Sequence, residues 1–231
     1  AQALRERGLA DGAAVRLLRE LCLVVGARPA GSPADAKARA WALAALASLG
    51  LENVRAEEFP LRIWQRGAKS AHVMAPVPRT LVVAALGNSV PAPEGGLEAE
   101  VAWYPDLAAL RADTTERDKS RANGRIVFID QRTERTRDGR GYGAAVAARA
   151  NGPVEAARRG ALALAIRSIG TSPDPIAHTG ATRYDLSVPR IPAFAVSVPD
   201  ADFIAAQHAA GQTLRLHVDL QAKSGVDATT A

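Results

Sequence analysis

Apolar residues recur every three to four positions in two early stretches, and that spacing predicts two helices. The first covers residues 11–25, with Asp11 as its N-cap. The second follows Ser32, a natural N-cap, with Pro33 at the first helical position and Asp35 three residues after the cap. Ala38, Trp41, Ala42, Ala45, Leu46 and Leu49 share one face of it, and Gly50 is placed to end it in a left-handed conformation. The connection GARPAGSP between the helices is short and turn-rich.

Beyond residue 52 the pattern shortens to extended runs. Strands are predicted over 53–64, over 71–74 after a turn at Arg66-Gly67, and over 80–86 once Pro76 and Pro78 have broken the chain. Further strands are expected at 98–104 and 125–130, with a short helix near 106–112 between them. Asn151-Gly152-Pro153 starts or restarts a helix that stops at Gly160 and runs straight into an apolar strand at 161–166. Such a tight helix-to-strand turn needs the positive φ that glycine supplies. A long loop spans 167–190, followed by a strand at 193–197, a helix near 200–210 and a strand at 213–221. Pro189 and Pro192 belong at the start or edge of their strand, because neither can donate to a ladder. Strand and helix alternate in the middle of the chain, so the fold class is α/β, in a mixed α+β arrangement.

Composition narrows the function classes. Of the 231 residues, 48% are hydrophobic but only 4% aromatic, so any core is built from small aliphatic side chains. The single cysteine excludes an internal disulfide, and Cys22, set in the apolar run LLRELCLVV, is expected to be an inert core thiol. Net charge is +5, but the basic residues are interleaved with acids. Even the densest run, RTERTRDGR, lacks aromatics on which bases could stack, which argues against nucleic-acid binding. No apolar run reaches the roughly 20 residues that cross a bilayer, so no membrane is expected as partner. The polar start AQALRERGLADG shows no signal peptide, although a cleaved leader would leave no trace.

Most catalytic templates are missing. There is no G-x-S-x-G, no H-E-x-x-H and no G-x-x-x-x-G-K, and GRGYG has the wrong spacing for a dinucleotide loop. The four histidines, at 72, 178, 208 and 217, are far apart in sequence. His217-Val218-Asp219 has a bare His-x-Asp spacing. Alternation, however, puts Leu214, Leu216, Val218 and Leu220 on one strand face and His217 and Asp219 on the opposite, solvated one. No catalytic and no metal-ligating residue is therefore assigned.

Eight segments, in order, resemble one family. They are GARPAGSP, GLENVRAEEF, IWQRG, LGNSV, GRIVFID, GPVEAARRGALALAIRS, HTGATRYD and VPRIPAFAVSVPDA. The chain resembles the zinc exopeptidases of the plasma glutamate carboxypeptidase (carboxypeptidase Q) type. The resemblance implies an incomplete zinc-peptidase α/β domain interrupted by a protease-associated insert. Residues 1–86 would supply the first part of the peptidase domain, 87–198 the insert, and 199–231 the return into the peptidase domain. It also implies that the zinc ligands lie downstream of residue 231. This chain alone would then carry no cofactor and be inactive, with zinc held by the full-length parent and peptides as that parent's substrates. A periplasmic or secreted location follows by resemblance. His178, Thr179, Arg183, Tyr184 and Asp185 form a candidate substrate-side or interface loop, or else a hydrogen-bonded structural loop that shapes the insert. Uncovered apolar surface would favour self-association. The alternative is a stand-alone interaction or substrate-presenting module, and a third possibility is anion or nucleic-acid binding through the Arg-rich loops.

Overall fold

A computed structural model describes residues 2–230, side chains at 226–229 excepted. It divides into two compact units, one formed by residues up to 63 with those from 225, the other by Trp64–Ser224. The first unit carries helices α1 (Gln2–Ala10), α2 (Ala13–Glu20) and α3 (Pro33–Ser48), with a π-helical turn over Leu21–Val25 extending α2. The N-cap of α2 is Gly12 rather than the expected Asp11, which lies one residue earlier and accepts the Ala13 amide on Oδ1 at 2.8 Å. Ser32 Oγ accepts the Asp35 amide at 3.1 Å, and Gly50 closes α3 with φ +77°. Strands β1 (Phe59–Gln65) and β10 (Lys223–Thr230) pair into a two-stranded ribbon.

Three expectations change here. Helix α1 and strand β10 were not legible in the sequence. Residues 53–58 are not strand, because Asn53 adopts φ +58° and turns the chain after α3. Cys22 is exposed rather than a core thiol, since none of α1–α3 nor the π turn buries a residue.

The Trp64–Ser224 unit is an eight-stranded mixed sheet in the order β3-β2-β9-β5-β6-β7-β8-β4. Its strands are β2 (Lys69–Ala75), β3 (Arg79–Thr80), β4 (Val83–Ala85), β5 (Leu97–Tyr104), β6 (Ile126–Ile129), β7 (Ala163–Arg167), β8 (Ala193–Val196) and β9 (Arg215–Leu220). Strands β5 to β8 run parallel in sequence order, and the remaining pairs are antiparallel. The predicted run 80–86 is divided between β3 and β4, which close the two ends of the sheet. The Leu81 amide bonds Ala71 O and the Ser197 amide bonds Val82 O, each at 2.9 Å. The sheet therefore curls until its ends meet through one short segment, which leaves no long free edge for aggregation.

Helices α4 (Leu107–Ala112) and α5 (Arg140–Arg158) cover one face over Val127, Ile129, Leu164 and Ile166. The other face encloses Phe128, Ala165, Phe194, Leu216 and Val218 against Ile204 of α6 (Val198–Ala209). Strand β6 is buried at every position, as parallel strands covered on both faces should be. Ser197 Oγ receives the Asp200 amide, so α6 starts two residues earlier than the apolar pattern suggested.

Helix α5 begins at Arg140, eleven residues before the expected restart at Asn151, and Pro153 lies inside it. A proline ring cannot donate to the carbonyl four residues back. The freed carbonyl, Arg149 O, instead accepts Thr182 Oγ1 at 2.9 Å. The next one, Ala150 O, accepts the Arg183 amide at 3.1 Å. The glycine turn after α5 matches its sequence reading, because Gly160 has φ +82° and its missing Cβ would strike the Asn123 amide. Gly160→Ala is expected to lose about 2 kcal/mol, combining left-handed backbone strain with displacement of Asn123. A urea midpoint within error of the parent would refute that account.

Candidate functional site

The loop carrying HTGATRYD is fastened at nearly every residue. The His178 amide donates to Ser168 Oγ at 3.0 Å, while the His178 side chain stays exposed. Thr179 Oγ1 accepts Arg66 Nη2 at 3.2 Å. Gly180 O accepts the Gly87 amide at 2.9 Å and the Thr182 amide reaches Gly87 O at 2.8 Å, making a short parallel bridge. Thr182 is buried and fills the α5 carbonyl freed by Pro153, while the Arg183 amide bonds the next one. Tyr184 Oη donates to Ile191 O at 2.6 Å and accepts the Val90 amide at 3.4 Å, while burial pushes its phenol above the ordinary value. Asp185 accepts the Ser187 amide at 2.8 Å, and that bond holds its carboxyl below the ordinary value, with Arg158 adding a smaller pull. The loop presents Leu186 at its tip, 93% exposed.

Three separated sequence segments therefore meet here. Trp64 Nε1 donates to Ser89 O at 2.8 Å, and the Arg66 guanidinium lies 5.1 Å from the Trp64 ring while reaching Ala85 O and Thr179. The RG turn, the GNSV turn and the HTGATRYD loop are thus one assembly. Of the five candidate residues, Thr179, Tyr184 and Asp185 are held by these hydrogen bonds. His178, Arg183 and Asp185 remain exposed to solvent.

A second cluster sits at the carboxyl ends of the parallel strands, where open α/β sheets place their crevices. Asp130 follows β6 and Arg167 ends β7, both buried, with Arg167 Nε 2.6 Å from Asp130 Oδ1. Arg167 Nη2 lies 2.9 Å from Asp202 Oδ1, near enough for an ion pair but without hydrogen-bond alignment. Burial pushes the Asp130 carboxyl above its ordinary value, and the Arg167 guanidinium only partly offsets that. Residue type alone marked neither group, because their proximity depends on strand order.

The histidines do not build a catalytic metal centre. His178 stands on the loop, and His208 stacks on Trp103 with ring centroids 4.4 Å apart. His72 and His217 face each other across β2 and β9. Among the described residues, no group of three His, Cys, Asp or Glu is arranged to hold a metal ion. A catalytic zinc requires three protein ligands and an open position, so the described residues do not fit one. The alternation read for β9 holds, with Leu216, Val218 and Leu220 buried while His217 and Asp219 lie on the more open face.

This architecture, a curled mixed α/β sheet preceded by helices, is that of half an M28 peptidase. The Peptidase M28 precursor of Shewanella amazonensis superposes with a TM-score of 0.90 at 38% identity, over 99% of this chain and 51% of that one. In sequence, the chain is a relative of carboxypeptidase Q. It is 33% identical to the Mus musculus protein over 203 residues, 88% of this chain and 41% of the relative. It is 32% identical to the Homo sapiens protein over 220 residues, 95% of this chain and 44% of the relative. The chain thus spans less than half the length of the curated relatives it matches. BSAP, a zinc aminopeptidase from Bacillus subtilis, shares the fold with a TM-score of 0.59 at 19% identity, over 93% of this chain and 44% of that one. No family model matches the chain.

Proposed function

We propose that this chain frames the active site of a zinc exopeptidase of the carboxypeptidase Q type, while the metal chemistry resides in a further part of the peptidase domain. In this reading residues 87–198 are the protease-associated insert, and the 178–185 loop is its substrate-side or interface edge. The substrates are peptides shortened from one end, in a periplasmic or extracellular setting. One observation carries the proposal. Helices α1–α3 bury no residue, yet they present Leu4, Leu9, Val15, Leu18, Leu46 and Leu49 to solvent. Large exposed apolar surface is the mark of an interface. In a peptidase domain such helices lie against a central sheet.

The isolated chain is therefore expected to self-associate and to bind a hydrophobic dye. It is also expected to release no amino acid from peptides when supplied with zinc. Sedimentation, dye fluorescence and an exopeptidase assay check these outcomes. Zinc-dependent release of terminal residues by the chain alone would overturn the division of labour. A clean monomer without dye signal would favour the second reading, a stand-alone presenting module. That reading draws support from the Trp64–Ser224 unit, which has a large buried core on each side of its sheet. Residues 64–224 expressed alone should unfold in one cooperative transition on either reading.

A further inference from the structure

A row of polar side chains crosses the open face of the sheet. The register pairs Thr80 with His72, His72 with His217, and His217 with Glu98, across β3, β2, β9 and β5. Directly opposed residues of antiparallel strands carry Cβ atoms about 4.5–5.5 Å apart, so the two imidazoles are immediate neighbours. A surface cavity of about 560 Å³ opens over them, lined also by Met74, Pro78 and Arg79.

Each ring is oriented by a hydrogen bond on one nitrogen. His217 Nε2 lies 3.0 Å from Gly95 O. A carbonyl can only accept, so Nε2 carries the proton and the neutral ring keeps its lone pair on Nδ1. The Gly95-Gly96 turn, left-handed at both residues, packs its second glycine so closely on the ring that a Cβ there would meet Nε2. His72 Nδ1 lies 3.2 Å from Thr80 Oγ1, and a hydroxyl can take either role, leaving Nε2 available. Among the described residues no hydrogen bond is made by His217 Nδ1 or His72 Nε2. The nearby cations are already neutralised, Arg79 by Asp200 and Arg215 by Glu98.

Imidazole pairs whose second nitrogens are held by backbone carbonyls or hydroxyls are the arrangement in which histidine binds metal. We propose that His72 and His217 form a two-imidazole site for a divalent transition-metal ion of the imidazole-preferring class, such as Cu²⁺, Ni²⁺ or Zn²⁺. The proposal is independent of the peptidase reading, because it rests on the cross-strand pairing of His72 with His217 alone, with the remaining positions left to water.

The test uses the whole chain and the metal alone. In a titration with Ni²⁺ followed by histidine proton resonances, the signals of His72 and His217 should broaden together at substoichiometric metal, ahead of those of His178 and His208. His72→Ala and His217→Ala should each weaken Ni²⁺ binding by more than the roughly tenfold that loss of an orienting partner costs, while His178→Ala changes nothing. The double variant should bind no more weakly than either single one. Uniform broadening of all four histidines, or unchanged affinity in the single variants, would overturn the proposal. If a variant fails to fold, the titration of the unaltered chain decides alone. Peptide hydrolysis plays no part in any readout, so failure here leaves the peptidase reading standing, and the converse holds.

Discussion

Arg167→Met is expected to destabilise the Trp64–Ser224 unit by about 3–5 kcal/mol, the cost of stranding one member of a buried ion pair. Both partners sit under the sheet's carboxyl edge, Arg167 4% and Asp130 6% exposed. Removing the guanidinium leaves Asp130 with only Arg132, 3.9 Å away and largely solvated. The pH dependence gives a second readout. Burial already raises the Asp130 carboxyl above its ordinary value, and without Arg167 nothing comparable opposes that rise. A carboxyl whose folded pKa is raised contributes stability that is present below its unfolded value and lost as pH rises through the folded one. The variant should therefore regain stability on acidification from neutral pH. Adding Asp130→Leu should restore most of the loss at neutral pH, since apolar replacement of a buried pair is often neutral or better. Urea melts of the three proteins decide it. A single variant as stable as the parent, or a double variant no better than the single one, would show that the pair is not buried as described.

Asp113→Ala is expected to cost about 3 kcal/mol, because this carboxylate organises the turn after α4 through charge-assisted hydrogen bonds. Oδ2 accepts Tyr104 Oη at 2.6 Å, Ser120 Oγ at 2.9 Å and the Arg121 amide at 3.1 Å, while Oδ1 accepts the Thr114 amide at 2.8 Å. Tyr104 is fully buried, so the variant leaves its hydroxyl without its partner. Burial pushes the Asp113 carboxyl up, but the bonds from Tyr104, Ser120, Thr114 and Arg121 together hold it below its ordinary value near 3.8. A lowered folded pKa contributes stability that is present above the unfolded value and lost as pH falls through the folded one. The parent should thus lose stability below about pH 4, and Asp113→Ala should show a shallower acid limb. Parallel acid limbs in the two proteins would remove Asp113 from the account.

Much of the local structure was legible in the residues themselves. Ser32, Pro33 and Asp35 start α3, and Gly50 and Gly160 end their helices with positive φ, because capping and left-handed turns depend on near neighbours. The alternation of β9 located His217 on the open face for the same reason. The ordered segments by themselves carry the likeness to the carboxypeptidase Q relatives. Errors arose where a local rule met a distant partner. Pro153 reads locally as a helix restart, yet it sits inside α5, and Thr182 satisfies the carbonyl it frees. Cys22 lies in an apolar run that nothing buries here, because periodicity reports which face wants cover and not whether cover arrives.

The sequence by itself determined most of the elements between residues 59 and 221 and the capping of α3, because these rest on interactions within a few residues, and its ordered segments carried the family likeness. Only the tertiary structure decided which strands are neighbours. Strand order set His72 beside His217. It also set Asp130 beside Arg167 and brought the Arg66 turn to Thr179. Those pairings join residues 37 to 145 positions apart. No periodicity in the chain encodes them, because a strand's partners are chosen by the whole sheet's closure and not by its own pattern.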